Sequence, residues 1–179
     1  MSRLIDDMLL LSQADAHAFP IRLQPVECDT LLLNSFETFE PMAKEKNISF
    51  TVSLPRTALP PCLSDGERLS QVIAILLHNA ISYTPSGGSI SLTLSSNSTK
   101  KPEALTLSIA DNGIGIPDEE KDKIFQRFYR SDRSRSVKNH FGLGLPIASE
   151  IIRSLDGTIR VVDTPGGGST FLVRLPFRS

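Results

Sequence analysis

The sequence has little of several features that would narrow its function at once. It contains no tryptophan, and its two cysteines, Cys28 and Cys62, occur in unrelated contexts. They provide neither a disulfide framework nor a zinc site, so we expect them to be ordinary core residues. No apolar run is long enough to cross a bilayer, and no signal peptide is visible at Met1. We therefore expect a soluble protein of a reducing compartment, with any membrane segment outside this sequence.

The chain also lacks a charge bias and the best-known nucleotide motifs. Its 19 basic and 20 acidic residues produce no bulk field that would favour nucleic acid. The P-loop pattern is absent, and no glycine turn has the third glycine of a dinucleotide fingerprint. A Cys/His metal cluster and a nucleophile elbow are absent too. With 179 residues, the chain has enough material for one well-cored domain plus an appendage.

Apolar periodicity predicts helices in the first half of the chain. Residues 2–15 carry a helical stripe that would dock on its own domain, dimerise or continue a longer bundle. A second helix is predicted from Asp29, a candidate N-cap, to about Lys46, with Pro41 as a potential kink. Asp65 starts the most regular helix, in which the apolar positions recur at helical spacing. These positions are Leu69, Val72, Ile73, Leu76, Leu77 and Ala80.

Strands are predicted before and after the helix that starts at Asp65, and one further helix is predicted later in the chain. Alternating runs predict strands over residues 47–54, 90–95 and 104–110. Gly142-Leu143-Gly144 opens a helix that Gly157 would end as its C′ residue. A terminal hairpin over about 158–162 and 169–175 closes the sheet.

Two groups of residues have chemistry that suits a nucleotide base and a metal. Asp111 ends a predicted strand, and Gly113 and Gly115 follow it, so the backbone can turn sharply and a flat ligand can lie against it. The carboxylate can accept a hydrogen bond from an exocyclic amine, which suits adenine. Asn79 lies on the polar side of the most regular helix, and its amide oxygen is a hard ligand suited to Mg²⁺. Taken alone, the Asp111 group is also explained as an ordinary turn after a strand, and Asn79 as a solvated asparagine on a helix surface.

Two further groups suit phosphate. Residues 131–141 read as a polar, basic loop without periodicity, and cations lie in and beside it. These cations are Arg130, Arg133, Arg135 and Lys138. Gly142 and Gly144 precede a helix, whose first N–H groups lie at the positive end of the helix dipole. A solubilising surface loop and a plain helix start are the ordinary alternatives.

The order of these groups resembles the ATP-binding catalytic domain of sensor histidine kinases, within the Bergerat-fold ATPases and kinases. The resemblance covers nearly all of residues 22–179. The similar stretches are 65–88 to the N box, 111–117 to the G1 box, 124–130 to the F box, 141–145 to the G2 box and 168–176 to the closing strand. It implies a two-layer α/β sandwich whose mixed, mostly antiparallel sheet has helices packed on one face. ATP would lie between the helices and a lid, away from the strands.

The resemblance also implies roles for single residues. Asn79 would coordinate Mg²⁺, and Asp111 would accept a hydrogen bond from the adenine amine. The implied ATP-binding residues are Asn79, Tyr83, Asp111, Gly113, Gly115, Arg130, Lys138, Gly142, Leu143 and Gly144. The aromatic side chains of Phe125, Phe128 and Tyr129 would anchor the lid on the core.

The chain departs from the family pattern at three places near the phosphates. Ile75 and Ser82 replace an asparagine and a lysine that are frequent in the family, and His140-Phe141 precede Gly142 in place of another glycine. These departures put the affinity for ATP in question more than the fold. The phosphoacceptor motif, a histidine followed by an acidic residue and a basic-Ser/Thr-Pro turn, is absent from the sequence. No residue is therefore predicted to be catalytic, although His78 could help to polarise a nucleophile.

The implied domains are residues 1–18, the end of a dimerisation and phosphotransfer helix; 19–25, a linker; and 26–179, the ATP-binding domain with a lid over about 131–141. The implied enzyme is an ATP-dependent protein-histidine kinase that passes phosphate to a response regulator. By itself the chain is expected to bind nucleotide without autophosphorylation.

The resemblance further implies a homodimer through upstream helices and a cytoplasmic location, with membrane attachment only through segments outside this chain. Two alternatives stay open. One is a Bergerat-fold serine kinase, and the other is a scaffold of the same fold that binds nucleotide poorly.

Overall fold

The computed structural model describes residues 20–98, 103–129 and 142–178. The predicted helix over 2–15 and the predicted lid over 131–141 lie outside these residues. Arg130, Arg133, Arg135 and Lys138 lie outside them as well.

Three helices and seven strands are found in the described part of the chain. In order they are β1 (Gln24–Val26), α1 (Cys28–Glu45), β2 (Ser49–Ser53), β3 (Cys62–Ser64), α2 (Gly66–Tyr83), β4 (Ser89–Ser96), β5 (Ala104–Asp111), α3 (Gly144–Ser154), β6 (Thr158–Asp163) and β7 (Ser169–Pro176). Two short 3₁₀ turns, Asp118–Glu120 and Lys123–Phe125, lie between β5 and α3.

The main sheet has five strands in the order β2-β4-β5-β7-β6. β2 runs parallel to β4, and the other neighbours are antiparallel. Residues alternate between the two faces because successive strand side chains point to opposite sides. In β5, Leu105, Leu107 and Ile109 are buried on the face that the helices cover. The predicted mixed, mostly antiparallel sheet with helices on one face is confirmed. β1 and β3 form a separate antiparallel pair, and β1 begins inside the predicted linker.

The helix starts agree with the sequence at α2 and differ at α1. Asp65 is the N-cap of α2, where its Oδ1 accepts a hydrogen bond from Arg68 N at 3.1 Å. The prediction that Asp29 caps α1 is wrong, because the helix begins at Cys28 and Glu27 occupies the N-cap position, where its side chain forms no capping hydrogen bond. Asp29 lies in the first turn, where a negative charge interacts favourably with the helix dipole. α1 continues through Pro41 without interruption.

The end of α3 is a Schellman motif, with two backbone hydrogen bonds closing the helix. The N–H of Asp156 donates to Arg153 at 3.0 Å, and that of Gly157 donates to Ile152 at 2.9 Å. Asp156 is therefore the C′ residue and has the left-handed φ of +56°, which corrects the assignment of Gly157 to that position. Gly157 is needed one residue later, since a β-carbon there would lie 2.7 Å from the carbonyl oxygen of Arg174.

Cys28 and Cys62 are unbonded and buried, as expected of core residues. Burial raises the pKa of the Cys28 thiol to about 12, so this group stays a neutral thiol at physiological pH. Within the described ranges, no helix is both long and apolar enough to span a membrane.

Candidate nucleotide-binding site

Asp111 is a buried carboxylate at the last position of β5, with 6% of its surface exposed. Its Oδ1 accepts hydrogen bonds from the backbone N–H groups of Gly113 at 2.8 Å and Ser169 at 3.3 Å. Burial raises the pKa of Asp111 above its ordinary value, and the two hydrogen bonds partly offset this shift. Among the described residues no donor reaches Oδ2. The described residues thus hold the carboxylate by one oxygen only.

The glycine turn after Asp111 is packed from two sides. A β-carbon on Gly113 would lie 2.5 Å from the carbonyl oxygen of Tyr83, at the end of α2. A β-carbon on Gly168 would overlap the carbonyl oxygen of Asp111 from the β6–β7 hairpin. Gly115 has a φ of +71° and ordinary space around it, so the turn requires its backbone conformation. Gly113 is therefore required for the close packing of this turn against the end of α2.

Asn112 fixes the turn to the start of β4. Its Oδ1 accepts a hydrogen bond from Ser89 N at 2.7 Å, and its own N–H donates to Ser89 O at 3.2 Å. A side chain that bonds the backbone in this way removes the freedom of the residue next to Asp111. Neither Asn112 nor Ser169 is among the site residues that the sequence predicts. Their contacts depend on which strands become neighbours, and only the Asn-Gly dipeptide hinted at a turn.

One side of α2 connects the glycine turn to the start of α3. Ile75, Asn79 and Tyr83 follow one another at four-residue spacing, so they share this side over about 12 Å of helix. Tyr83 meets Gly113 at one end. At the other end, a β-carbon on Gly144 would lie 3.2 Å from Cγ2 of Ile75. Asn79 lies between them, half-buried, and its amide forms no hydrogen bond to another described residue.

None of the described side chains caps the first turn of α3. Its early N–H groups therefore lack the partner that a Ser, Thr or Asp at the N-cap usually provides. The N-cap residue is Leu143, whose side chain is buried in the core, so only its backbone is available to a ligand. Gly142 has a φ of +72°, and its carbonyl accepts a hydrogen bond from Phe128 N at 3.1 Å.

The three aromatic residues before the predicted lid behave differently from one another. Phe125 packs edge-on against Phe171, with ring centroids 6.4 Å apart, and Tyr129 packs partly buried on the core. Phe128 is 63% exposed and has a left-handed φ of +62°. The prediction that Phe128 anchors the lid on the core is wrong, because its backbone conformation turns the ring into solvent.

His78 does not share the side of α2 that carries Asn79. Its ring meets that of Phe39 from α1 edge-on, with centroids 4.9 Å apart and planes at 83°. This contact packs the ring against α1.

An open cleft of about 400 Å³ lies between the glycine turn and the β6–β7 hairpin. Its lining residues are Ile114, Gly115, Ile116, Pro117, Asp163, Thr164, Gly167 and Gly168. Because Asn79, Tyr83 and Asp111 do not line it, we do not place the nucleotide there. No cluster of His, Cys, Asp or Glu that could hold a metal is found among the described residues.

The family model for histidine kinase-, DNA gyrase B- and HSP90-like ATPases matches residues 64–179. The chain belongs to this family of ATPases. Within the family it is homologous to sensor histidine kinases, of which it represents the ATP-binding catalytic domain. The sequence-based identification and the fold expected from it are confirmed.

Curated relatives match nearly the whole chain. Sensor histidine kinase WalK of Bacillus subtilis is 34% identical over 99% of this chain, and adaptive-response sensory kinase SasA of Microcystis aeruginosa is 36% identical over 98%. The chain spans only 29% of the length of the first relative and 44% of the second.

Solved structures agree with this assignment. ShkA, solved full-length in complex with AMPPNP, is 30% identical and superposes with a TM-score of 0.86 over 98% of this chain and 35% of that one. The nucleotide-free catalytic domain of histidine kinase ThkA is 26% identical, with a TM-score of 0.76 over 87% of this chain and 96% of that one. A complex of ThkA with response regulator protein TrrA matches at 22% identity and shows a likeness of fold alone.

Proposed function

We propose that the chain binds Mg·ATP along the side of α2 that carries Asn79. The observation that supports this proposal most directly is the linear arrangement of three features on one helix. Counting only the described residues, a carboxylate oxygen without a donor lies beyond the C-terminal end of α2, an amide without a hydrogen bond lies in its middle, and a helix start without a side-chain cap lies at Ile75. A nucleotide needs a base site, a metal contact and a phosphate site in this order.

The base would bind at Asp111. Its Oδ2 would accept a hydrogen bond from the exocyclic amine of adenine, while Oδ1 stays bonded to Gly113 and Ser169. Guanine carries a carbonyl at the corresponding ring position, and this oxygen would face a carboxylate acceptor without a proton between them. A buried acceptor left unpaired costs about 1–3 kcal/mol. The site is therefore expected to select adenine over guanine.

The phosphates would bind at the first turn of α3, near Gly142 and Gly144. Free N–H groups and the positive end of the helix dipole favour an anion there. Asn79 would contribute its amide oxygen to Mg²⁺. The donor set fits this metal, because Mg²⁺ often takes one or two protein ligands and completes its shell with phosphates and waters. Arg130 and Lys138 stay candidates for phosphate contacts by resemblance.

In the whole protein, the γ-phosphate would pass to a histidine on an upstream helix that this chain lacks. An N–P bond to the imidazole forms, the bond from the γ-phosphorus to the bridging oxygen breaks, and ADP leaves. The chain's own residues would hold and orient the nucleotide, since phosphoryl transfer depends mainly on positioning and charge stabilisation. The phosphate would then move to an aspartate of a response regulator, a partner suggested by the ThkA complex.

The proposals on assembly follow the same lines. Helices upstream of residue 20 would form a homodimer, and any membrane attachment would belong to segments beyond this chain. The comparisons favour neither the serine kinase nor the nucleotide-poor scaffold, as the named relatives are sensor histidine kinases.

Calorimetric titration with a non-hydrolysable ATP analogue, with and without Mg²⁺, tests the proposal. We expect binding that Mg²⁺ strengthens and that Asp111→Asn weakens by about 10- to 100-fold, the effect of losing a hydrogen bond to a charged group. Asp163→Asn is the matched control, because this aspartate lies outside the proposed site and lines the separate cleft. Equal weakening by both substitutions, or no binding at millimolar nucleotide, would contradict the proposal.

A further inference from the structure

The C-terminal end of α2 is completed by a lysine from another element. The last carbonyls of a helix lack intrahelical donors, and the position that would serve Ile81 is Pro85, which has no N–H. No basic residue lies in the last turn of α2 itself. Lys46, the residue after α1, donates from Nζ to the carbonyl oxygens of Ile81 at 2.7 Å and Ser82 at 3.0 Å. Its ammonium thus lies at the negative end of the helix dipole.

Lys46 is the first residue of a turn that binds the segment after α2. Gly87 N donates to Asn47 O at 2.8 Å, and Ser49 N donates to Gly88 O at 2.9 Å. Asn47 has a φ of +56°, a conformation that asparagine tolerates better than most residues. The turn between α1 and β2 therefore holds both the end of α2 and the loop that follows it.

The same segment continues into the proposed nucleotide site. Ser89, immediately after Gly88, forms the two hydrogen bonds to Asn112. Asn112 separates Asp111 from Gly113, and Gly113 packs on the carbonyl of Tyr83 at the end of α2. The contacts thus form a closed ring through Lys46, the end of α2 and the glycine turn. These contacts join the end of the helix that carries Asn79 to the turn that follows Asp111.

We propose that Lys46 is a positioning residue of the nucleotide site, which it would affect without touching the ligand. By holding the last turn of α2, it sets the place of the helix that carries Asn79 relative to the carboxylate of Asp111. Neutralising Lys46 would let the helix end move away from the glycine turn. Small displacements of binding groups cost much affinity, because a site works only when its supporting contacts fix its geometry. This inference rests on the proposed nucleotide site.

The test compares Lys46→Met with Lys44→Met in the 179-residue chain. Lys44 precedes Lys46 by two residues and carries the same charge, and its ammonium forms an exposed ion pair with Glu40. Affinities for ADP and GDP are measured at a temperature where thermal unfolding shows each variant fully folded. We expect Lys46→Met to weaken ADP about tenfold and to reduce the preference for ADP over GDP, as loss of a supporting contact does. Lys44→Met should match the unsubstituted chain.

Two further variants keep the test decisive. Lys46→Arg retains a charged donor and should recover most of the ADP affinity, whereas Lys46→Gln, the milder neutral change, serves if Lys46→Met does not fold. If the neutral variant melts earlier but binds ADP and GDP as the unsubstituted chain does, Lys46 only stabilises the fold and the inference is overturned. If the unsubstituted chain fails to bind ADP, the proposed function itself fails.

Discussion

The carbonyl oxygen of Tyr83 lies 2.5 Å from the position that a β-carbon on Gly113 would occupy. Real β-carbons essentially never approach an oxygen so closely, so the end of α2 and the glycine turn touch without spare room. The end of α2 and the glycine turn lie far apart in the sequence, and this contact holds them together as one site.

Gly113→Ala should separate the end of α2 from the glycine turn. Relieving this contact requires a backbone shift, and overpacking of this kind costs about 1–3 kcal/mol of the free energy of unfolding. Because the shift also displaces Asp111 from α2, we expect ADP binding to be largely lost. Chemical denaturation and calorimetry measure the two effects.

Gly166→Ala is the control for that experiment. Gly166 has a φ of +88° and no atom near its β-carbon position, so its replacement brings backbone strain of about 1–2 kcal/mol without a clash. ADP affinity should stay unchanged. Loss of binding in both variants would mean that any destabilised chain loses the nucleotide, and the contact would then have no special importance.

The raised pKa of Asp111 makes stability depend on pH. An acid whose pKa is higher in the folded state than in the unfolded state costs stability when it ionises. This cost is absent below the unfolded pKa, grows as the pH rises through the folded pKa and is complete above it. Asp111→Asn removes the ionisation and keeps an oxygen for Gly113 and Ser169. Its stability relative to the unsubstituted chain should therefore increase with pH across this window.

Denaturant titrations over a pH series measure that difference. Glu119→Gln, which also replaces a carboxylate by an amide but at an exposed position, is the control. The free energy of unfolding of Asp111→Asn is compared with that of the unsubstituted chain at each pH. If the difference stays constant with pH, the Asp111 carboxylate is no harder to ionise in the folded state than in the unfolded state.

Asn79→Ala should affect the metal without affecting the fold. The amide forms no hydrogen bond to another described residue, so its removal leaves no buried partner unsatisfied. We expect Mg²⁺ to stop strengthening the binding of the ATP analogue, whereas binding in the absence of Mg²⁺ stays the same. Asn34→Ala, on the exposed side of α1, provides the control. Retained Mg²⁺ dependence in Asn79→Ala would exclude Asn79 as a ligand.

Phe128 and Phe125 should respond to substitution in opposite ways. Phe128→Gly removes an exposed ring and the strain of a left-handed φ, so stability should stay equal or rise by about 1 kcal/mol. Phe125→Ala removes a ring that packs on Phe171 and should cost about 2–3 kcal/mol. Thermal unfolding distinguishes them. A large loss of stability in Phe128→Gly would contradict the exposed position of this ring.

Local patterns predicted those parts of the molecule that depend on local chemistry. Asp65 caps α2 because its side chain reaches an N–H three residues on, and Asp111 ends β5 because a glycine turn follows it. The exposure of Phe128 could not be read from an aromatic-rich stretch, since it results from one backbone torsion. Lys46 looked like the polar end of a helix, and its partners on α2 are set by tertiary packing.

The hydrogen bond between Phe128 and Gly142 has a consequence for how this domain can vary. It holds Phe128 beside the residue that precedes the N-cap of α3, so the two ends of the chain segment between them are fixed by the fold. Lengthening a segment whose ends are already fixed costs only about 0.6 kcal/mol for each doubling. We therefore expect insertions between Phe128 and Gly142 to leave the sheet, the helices and the base site unchanged.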